Sequence, residues 1–224
     1  MGRKVGVCGR ARGHTLRWGW MPVVETGGQG VVRVFWHEPI SHEALGYALA
    51  QFLAEVAAEE GLTGSPLVLC IGTDRSSGDS LGPLVGYFLQ EEGYPWPILG
   101  TIHDPVHAVN LEEVLRDIRR FHSRRPVVAV DACLGRMETV GTIHCQKGPL
   151  WPGSGVRKSL PPVGHVSMTG TVNAGGVLDY VVLQTTRLST VVRMARVMTR
   201  ALWLAAALYG SSGQEGVAVT GPGR

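Results

Sequence analysis

The clearest pattern in the chain is an unbroken apolar run at residues 67–71, followed at once by a polar, glycine-rich segment. A strand buried on one face alternates apolar and polar residues, whereas an unbroken run is typical of a strand covered on both faces in a parallel sheet. The polar segment ends at Pro83, which lacks an N–H and suits the first turn of a helix. With Asp79 or Ser80 as the cap, the pattern predicts a helix over residues 81–92.

A second short apolar strand, rich in β-branched residues, is predicted at residues 126–131 and ends on Asp131. Between the two strands, the sequence predicts a strand at 98–102 and an amphipathic helix at 111–121. The resulting β-α-β-α-β order is typical of an open sheet that binds its ligand beyond the carboxyl ends of the strands. If the first and third of these strands are neighbours, Asp79 and Asp131 converge at one edge of the sheet.

The flanking segments complete a three-layer α/β/α fold with a mostly parallel sheet. The pattern predicts a strand at 31–36, a helix at 41–61 that covers one face of the sheet, a strand nearer an edge at 140–145, a loop at 149–162 and a helix at 188–209. Residues 169–183 have a helical pattern, but three glycines at about 1 kcal/mol each leave that assignment open. We expect one domain at 31–210, a disordered, basic, glycine-rich extension at 1–30 and a flexible tail at 211–224.

Composition narrows the class of protein. Apolar residues make up 44% of the 224 residues, and the net charge of +3 comes from an excess of arginine and lysine near the amino end. The rest of the chain is nearly neutral, so a nucleic-acid partner is not expected. The four cysteines have no C-x-x-C spacing, which favours a reducing cytoplasm and disfavours a structural zinc site. No uncharged run is long and apolar enough for a membrane span, so we expect no membrane partner.

Two carboxylates at the ends of parallel strands suit acid/base chemistry. Like charges close together raise one pKa, so that one group stays protonated while the other accepts a proton from water. Asp74, Arg75 and Ser77 lie close to Asp79 in sequence and are candidates for positioning a substrate. In the alternative interpretation, Asp79 only caps a helix and Asp131 only belongs to a turn.

His165 is a candidate third group of the site. It lies in a polar segment after the glycine-rich loop, and with Asp79 and Asp131 it would form an oxygen-and-nitrogen set suited to nickel or zinc. A site without a metal or other cofactor is the preferred hypothesis. Cys133 with His165 would offer thiol catalysis, a weaker alternative, and the pair of histidines at 103 and 107 is disfavoured as a metal site because a proline separates them.

Several separate motifs, in order, resemble the YyaC family of spore proteases of sporulating Firmicutes. These motifs are IGTDRSSGDSLGP at 71–83, DPVHAVN at 104–110, AVDACLG at 129–135 and PGSGV at 152–156. That family is similar to the germination protease, which degrades small acid-soluble spore proteins, and to the hydrogenase maturation endopeptidases. The resemblance implies the sheet architecture of those endopeptidases and matches their functional acids to Asp79 and Asp131. It makes His165 the candidate for the histidine that contacts nickel in the hydrogenase-processing enzymes.

The resemblance implies a sporulation-associated endopeptidase in the cytoplasm of the forespore or mother cell. Its substrate would be a spore or germination protein, and Asp74, Arg75, Ser77, Ser154 and His165 are expected to bind that protein or peptide. A non-catalytic spore protein that binds a peptide in the same groove is the first alternative, and a metal-dependent maturation peptidase is the second. The chain is much shorter than the germination protease, so the tetramer of that enzyme does not carry over and a homo-oligomer stays an open expectation.

Overall fold

A computed structural model describes residues 30–152, 160–176 and 178–212 of the chain. Nearly all of the predicted extension and tail, and Ser154, lie outside the described residues. The strands are β1 (Val31–Phe35), β2 (Leu67–Cys70), β3 (Ile98–Leu99), β4 (Val127–Gly135), β5 (Thr142–Lys147) and β6 (Val166–Ala174). The helices are α1 (Ser41–Glu60), α2 (Leu81–Glu91), α3 (Leu111–Phe121), α4 (Asp179–Gln184) and α5 (Leu188–Ser212), with short 3₁₀ turns at Gly78–Ser80 and Met137–Thr139.

Within the described residues the strands form one mixed sheet in the order β1-β5-β6-β4-β2-β3. Strands β3, β2, β4 and β6 run parallel to one another, and only β5 runs antiparallel to the strands on either side of it. The mostly parallel α/β/α architecture expected from the sequence is therefore confirmed.

The apolar run at the start of the sheet is buried on both faces, as its pattern predicts. Val68 and Cys70 of β2 belong to a core that contains α1, α2 and α5. Leu67 and Leu69, which point to the opposite face, belong to a second core with Leu111 and other residues of α3. Helices thus cover both faces of the parallel strands. None of the helices in the described ranges is long and apolar enough to cross a membrane.

The segment at 169–183, whose assignment the sequence leaves open, is a strand over its first half. Residues 166–172 of β6 alternate between the two faces of the sheet, and the helix begins only at Asp179. A Cβ atom at Gly170 would overlap side-chain atoms of Leu81 in α2 and Met194 in α5. The glycine therefore allows these two helices to pack closely against the strand.

Candidate functional site

The two predicted strands that end on polar segments are neighbours in the sheet. Strand β2 pairs with β4 in parallel register, with Leu67 opposite Val127 and Cys70 opposite Val130. Strand β3 lies on the other side of β2. The chain therefore leaves β2 toward one edge of the sheet, forms β3, and then crosses back over β2 to form β4. Such a reversal opens a crevice at the carboxyl ends of the two strands, where open α/β sheets bind ligands. Asp131 lies at that edge, one residue beyond Val130.

Two glycines bring Asp79 back over the end of β2. Gly72 has a φ of +140°, and a Cβ atom there would overlap the backbone carbonyl oxygen of Asp79. A Cβ atom at Gly82, in the first turn of α2, would overlap the carbonyl oxygen of Ile71. The backbone N–H of Thr73 donates a hydrogen bond of 3.0 Å to the carbonyl oxygen of Asp79 and closes the turn. The backbone of the turn and of the start of α2 therefore packs directly against the backbone at the end of β2.

The environments of the two carboxyl groups differ. Asp131 is only 8% exposed, and burial raises its pKa well above the usual range, with a further increase from the nearby charge of Asp79. One N–H, that of Ala132, opposes this effect by donating to Oδ1 at 2.8 Å. Burial also raises the pKa of Asp79, but His107 and the backbone N–H of Thr73 lower it. Asp79 consequently ionises first, while Asp131 keeps its proton.

Both aspartates line one open cavity of about 300 Å³ at the carboxyl edge. Its polar lining residues come mainly from the turn after β2 and from the end of β4, and its apolar wall comes from the loops and from α4. The lining residues are Ile71, Gly72, Thr73, Arg75, Ser76, Asp79, His107, Ala108, Val109, Asp131, Ala132, Cys133, Leu134, Pro152, Leu160, Tyr180 and Leu183. The cavity is large enough for one or two side chains of a bound peptide.

His107 reaches this cavity from the loop that precedes α3. The Oδ1 atom of Asn110 accepts the backbone N–H of His107 at 2.8 Å, and its Nδ2 atom donates to the carbonyl oxygen of Pro105 at 3.0 Å. Asn110 is thus the N-cap residue by position, but its side chain fixes the preceding loop instead of the first turn of the helix. The ring Nδ1 of His107 accepts the backbone N–H of Val109 at 3.3 Å, and this contact helps to hold the ring beside the cavity.

The other predicted substrate-binding residues have different positions. Arg75 lines the cavity with an exposed side chain. Asp74 is exposed and lies outside the cavity lining, with Oδ1 3.5 Å from the hydroxyl of Thr73. The hydroxyl of Ser77 donates to the carbonyl oxygen of Gln184 at 3.1 Å and so links the turn to the end of α4. Ser154 lies outside the described residues.

The expected position of His165 is wrong. His165 precedes β6, where its Nδ1 accepts the backbone N–H of Val127 at 2.8 Å and its Nε2 lies 3.5 Å from a carboxylate oxygen of Glu60. Asp131 pairs with Thr169, four residues further along β6, which corresponds to roughly 13 Å at the usual rise of a strand. His165 therefore lies before the start of β6, whereas Asp131 lies midway along the neighbouring strand.

This separation removes two of the expected arrangements. Asp79, Asp131 and His165 do not form a metal-ligand set, and in the described ranges no group of three or more His, Cys, Asp and Glu side chains could hold a metal ion. The donors near the aspartates thus do not fit nickel or zinc. Cys133 lines the cavity but is equally remote from His165, and burial raises the pKa of its thiol, which favours the weakly nucleophilic protonated form.

Sequence reasoning missed two residues of this cavity, His107 and Ser76. His107 was set aside because Pro105 makes a helical pair with His103 impossible, although it stands within the DPVHAVN motif at 104–110. That motif was the signal that could have identified it. Ser76 stands among several other hydroxyl residues, and nothing in the sequence distinguishes it from Ser77 or Ser80.

Comparison with known proteins places these features in context. The model of a family described as "Protein of unknown function (DUF1256)" matches residues 38–201. The chain is 50% identical over 143 residues to the "Uncharacterized protein YyaC" of Bacillus subtilis (strain 168), a match that covers 63% of this chain and 70% of that protein. Among solved structures, it is similar to the [NiFe] hydrogenase maturation protease HycI from Thermococcus kodakarensis KOD1, with a TM-score of 0.42 and 17% identity over 65% of this chain and 92% of that one. The family model spans both Asp79 and Asp131.

Proposed function

This chain belongs to the DUF1256 family, and from the chemistry of its site we propose that the protein is an endopeptidase that hydrolyses a peptide bond with Asp79 and Asp131. The observation that carries the proposal is the unequal pair of carboxyl groups in one cavity. The pKa of buried Asp131 is raised well above its usual range. Burial also raises the pKa of Asp79, but there His107 opposes the effect of burial. Such a pair supplies a base and an acid at the same pH.

In the proposed reaction, the ionised carboxylate of Asp79 accepts a proton from a water molecule as the water oxygen bonds to the carbonyl carbon of the substrate. Asp131 donates its proton to the carbonyl oxygen, so the tetrahedral intermediate carries no net charge from this step. Asp79 then gives its proton to the amide nitrogen as the C–N bond breaks. The new carboxyl group forms when a hydroxyl of the intermediate returns a proton to Asp131, and both aspartates regain their starting states.

The shape of the cavity supports a peptide as the substrate. Its mouth is open, and two apolar residues on its wall, Val109 and Tyr180, are 86% and 64% exposed. Exposed apolar side chains beside buried polar groups are typical of sites that bind an amphipathic ligand such as a peptide. The resemblance to spore proteases makes small acid-soluble spore proteins the first substrates to test.

The test is intact-mass spectrometry of these substrate proteins after incubation with the wild type and with Asp79→Asn and Asp131→Asn. We expect defined fragments from the wild type and a loss of rate of roughly 10²- to 10⁴-fold in each variant, because each removes one proton-transfer group. Asp117→Asn, at an exposed position on α3, is the matched control and should cleave like the wild type. Thermal denaturation should show that Asp131→Asn is folded, since asparagine has nearly the size of aspartate and keeps an oxygen that can accept the N–H of Ala132.

Equal fragmentation by the wild type and both aspartate variants would contradict the proposal and place the activity elsewhere. If no substrate is cleaved but peptides bind in the cavity, the non-catalytic peptide-binding function becomes the better assignment.

A further inference from the structure

One buried hydroxyl group in the cavity has no hydrogen-bond partner among the described residues. Ser76 is 8% exposed and lines the cavity that contains both aspartates. Among the solvent-shielded side-chain oxygens and nitrogens of the described residues, only those of Glu43, Ser76 and Ser167 lack a hydrogen-bond partner. Of these three residues, Ser76 alone belongs to the lining of this cavity. Buried polar groups are nearly always paired, so the missing partner of Ser76 calls for an explanation.

The neighbouring hydroxyl groups in the same turn are all occupied. Thr73 accepts the backbone N–H of Arg75 at 3.3 Å, and Ser80 donates to the carbonyl oxygen of Ser77 at 2.7 Å. Ser77 itself donates to α4 at 3.1 Å. The other hydroxyl groups of this turn therefore make hydrogen bonds within the protein. Ser76, which lines the cavity, is the exception.

The surroundings of Ser76 indicate what kind of group would satisfy it. The lining of the cavity also contains apolar residues, including Ala108, Leu160 and Leu183. A ligand that fills the cavity must therefore combine an apolar portion with a hydrogen-bonding group next to it. A peptide does so, because each apolar side chain is attached to a main-chain amide, and a serine hydroxyl can both donate to its carbonyl and accept its N–H.

We propose that Ser76 binds a main-chain amide of the substrate peptide while an apolar side chain of that peptide occupies the apolar wall of the cavity. This inference rests on the peptide-binding part of the proposed function and does not require the chemical step. Ser76 is thus a substrate-binding residue that holds the peptide in register with Asp79 and Asp131. The substrate class that follows is a peptide with a large aliphatic or aromatic residue at the bound position.

The experiment measures equilibrium binding of capped pentapeptides, acetyl-Gly-Gly-X-Gly-Gly-amide with X as leucine or glycine, by calorimetry. The full chain carries Asp79→Asn so that the peptide is not consumed. Ser76→Ala is compared with Ser167→Ala, which removes another buried, unpaired hydroxyl, on β6 and outside the cavity lining. Each amide of the leucine peptide is also replaced in turn by an ester, which removes one N–H and weakens one carbonyl.

We expect the leucine peptide to bind at least about 10-fold more tightly than the glycine peptide, since it fills an apolar wall. Ser76→Ala should raise the Kd roughly 2- to 12-fold, the equivalent of one hydrogen bond. Ser167→Ala should leave the Kd unchanged, and neither variant should lower the Tm, because each loses an unpaired hydroxyl. One ester substitution should weaken binding in the parent and have no effect in Ser76→Ala, which is the signature of a direct contact.

Equal affinities of Ser76→Ala and Ser167→Ala would overturn the inference and would indicate that a structural water satisfies Ser76. No measurable binding of either peptide would overturn it as well. These failures are separable from failure of the proposed function. Cleavage of protein substrates with an unchanged KM in Ser76→Ala would leave the peptidase and remove the contact, whereas Ser76-dependent binding without cleavage by the wild type would leave the contact and remove the peptidase.

Discussion

At the scale of single residues, the environment distinguishes two side chains of identical chemistry. Asp131 lies on β4, opposite Thr169 of β6, and is shut off from solvent, so the charged form is disfavoured. Asp79 lies in a turn, half-buried, where His107 favours its charged form. The amino-acid type alone would assign both residues the same role. In the proposed reaction, this difference makes Asp79 the base and Asp131 the acid.

This assignment predicts a bell-shaped pH profile of kcat/KM. Activity should rise with pH as Asp79 loses its proton and fall at higher pH as Asp131 loses its own. In His107→Gln, the pKa of Asp79 should increase, because the group that lowers it is gone. The acidic limb of the profile should therefore move to higher pH while the alkaline limb, set by Asp131, stays in place. The measurement is kcat/KM against pH for the wild type and the variant.

His103→Gln is the matched control for that experiment. His103 lies four residues earlier in the same segment, but its ring contacts Tyr87, with 5.6 Å between the ring centroids, and it lies outside the cavity lining. An equal shift of the acidic limb in both variants would mean that general charge, and not the place of His107 in the cavity, controls Asp79.

At the scale of secondary-structure elements, the site depends on how closely α2 approaches the end of β2. The sequence predicted both elements and the polar segment between them, because apolar pattern and turn residues are local signals. The sequence did not predict the position of His165 correctly, because it does not show how β4 and β6 are aligned. Without that register, a histidine just before one strand could lie beside an aspartate of the neighbouring strand. The register of β4 with β6 separates them.

Gly82→Ala should damage this approach. The new methyl group would meet the backbone carbonyl of Ile71, which cannot move without disturbing the buried strand. We expect a loss of about 1–3 kcal/mol in the free energy of unfolding, measured by urea denaturation. We also expect a loss of turnover, because Asp79 moves with the start of α2.

Gly210→Ala serves as the control, since a Cβ atom at that position of α5 meets open space. Gly210→Ala should raise the free energy of unfolding by at most about 1 kcal/mol, because alanine is more favourable than glycine in a helix. It should leave turnover intact. A Gly82→Ala protein as stable and active as the wild type would show that the contact between α2 and β2 is not needed.

At the scale of the whole molecule, two cores on opposite faces of the sheet hold the carboxyl edge in place. The larger core joins α1, α2 and α5 to the sheet and contains Cys70 and Cys145, and the smaller one joins α3 to the other face. Both of these cysteines are fully buried, and burial raises the pKa of the Cys145 thiol to about 12. Cys133, by contrast, is partly exposed in the cavity.

The cysteines therefore predict an order of alkylation by iodoacetamide at pH 8, read by peptide mass mapping. Cys133 should react in the native protein. Cys70 and Cys145 should react only when the protein unfolds, so their labelling should be slower by a factor on the order of 10³ or more. A saturating leucine pentapeptide should slow the labelling of Cys133, since both occupy the cavity. Labelling of Cys145 as fast as that of Cys133 would show that the larger core opens independently of global unfolding.

The sequence by itself determined the elements that carry local signals. The sequence was sufficient to predict the buried parallel strands, most of the helices, the polar turn after β2 and the two aspartates that follow the apolar runs. Apolar periodicity and turn chemistry depend on residues near in sequence. Only the tertiary structure decided which distant residues share the cavity. Strand order and register brought His107 and the unpaired hydroxyl of Ser76 to the aspartates and placed His165 away from Asp131. These are contacts between residues far apart in the chain, and they are set by how the layers pack as a whole.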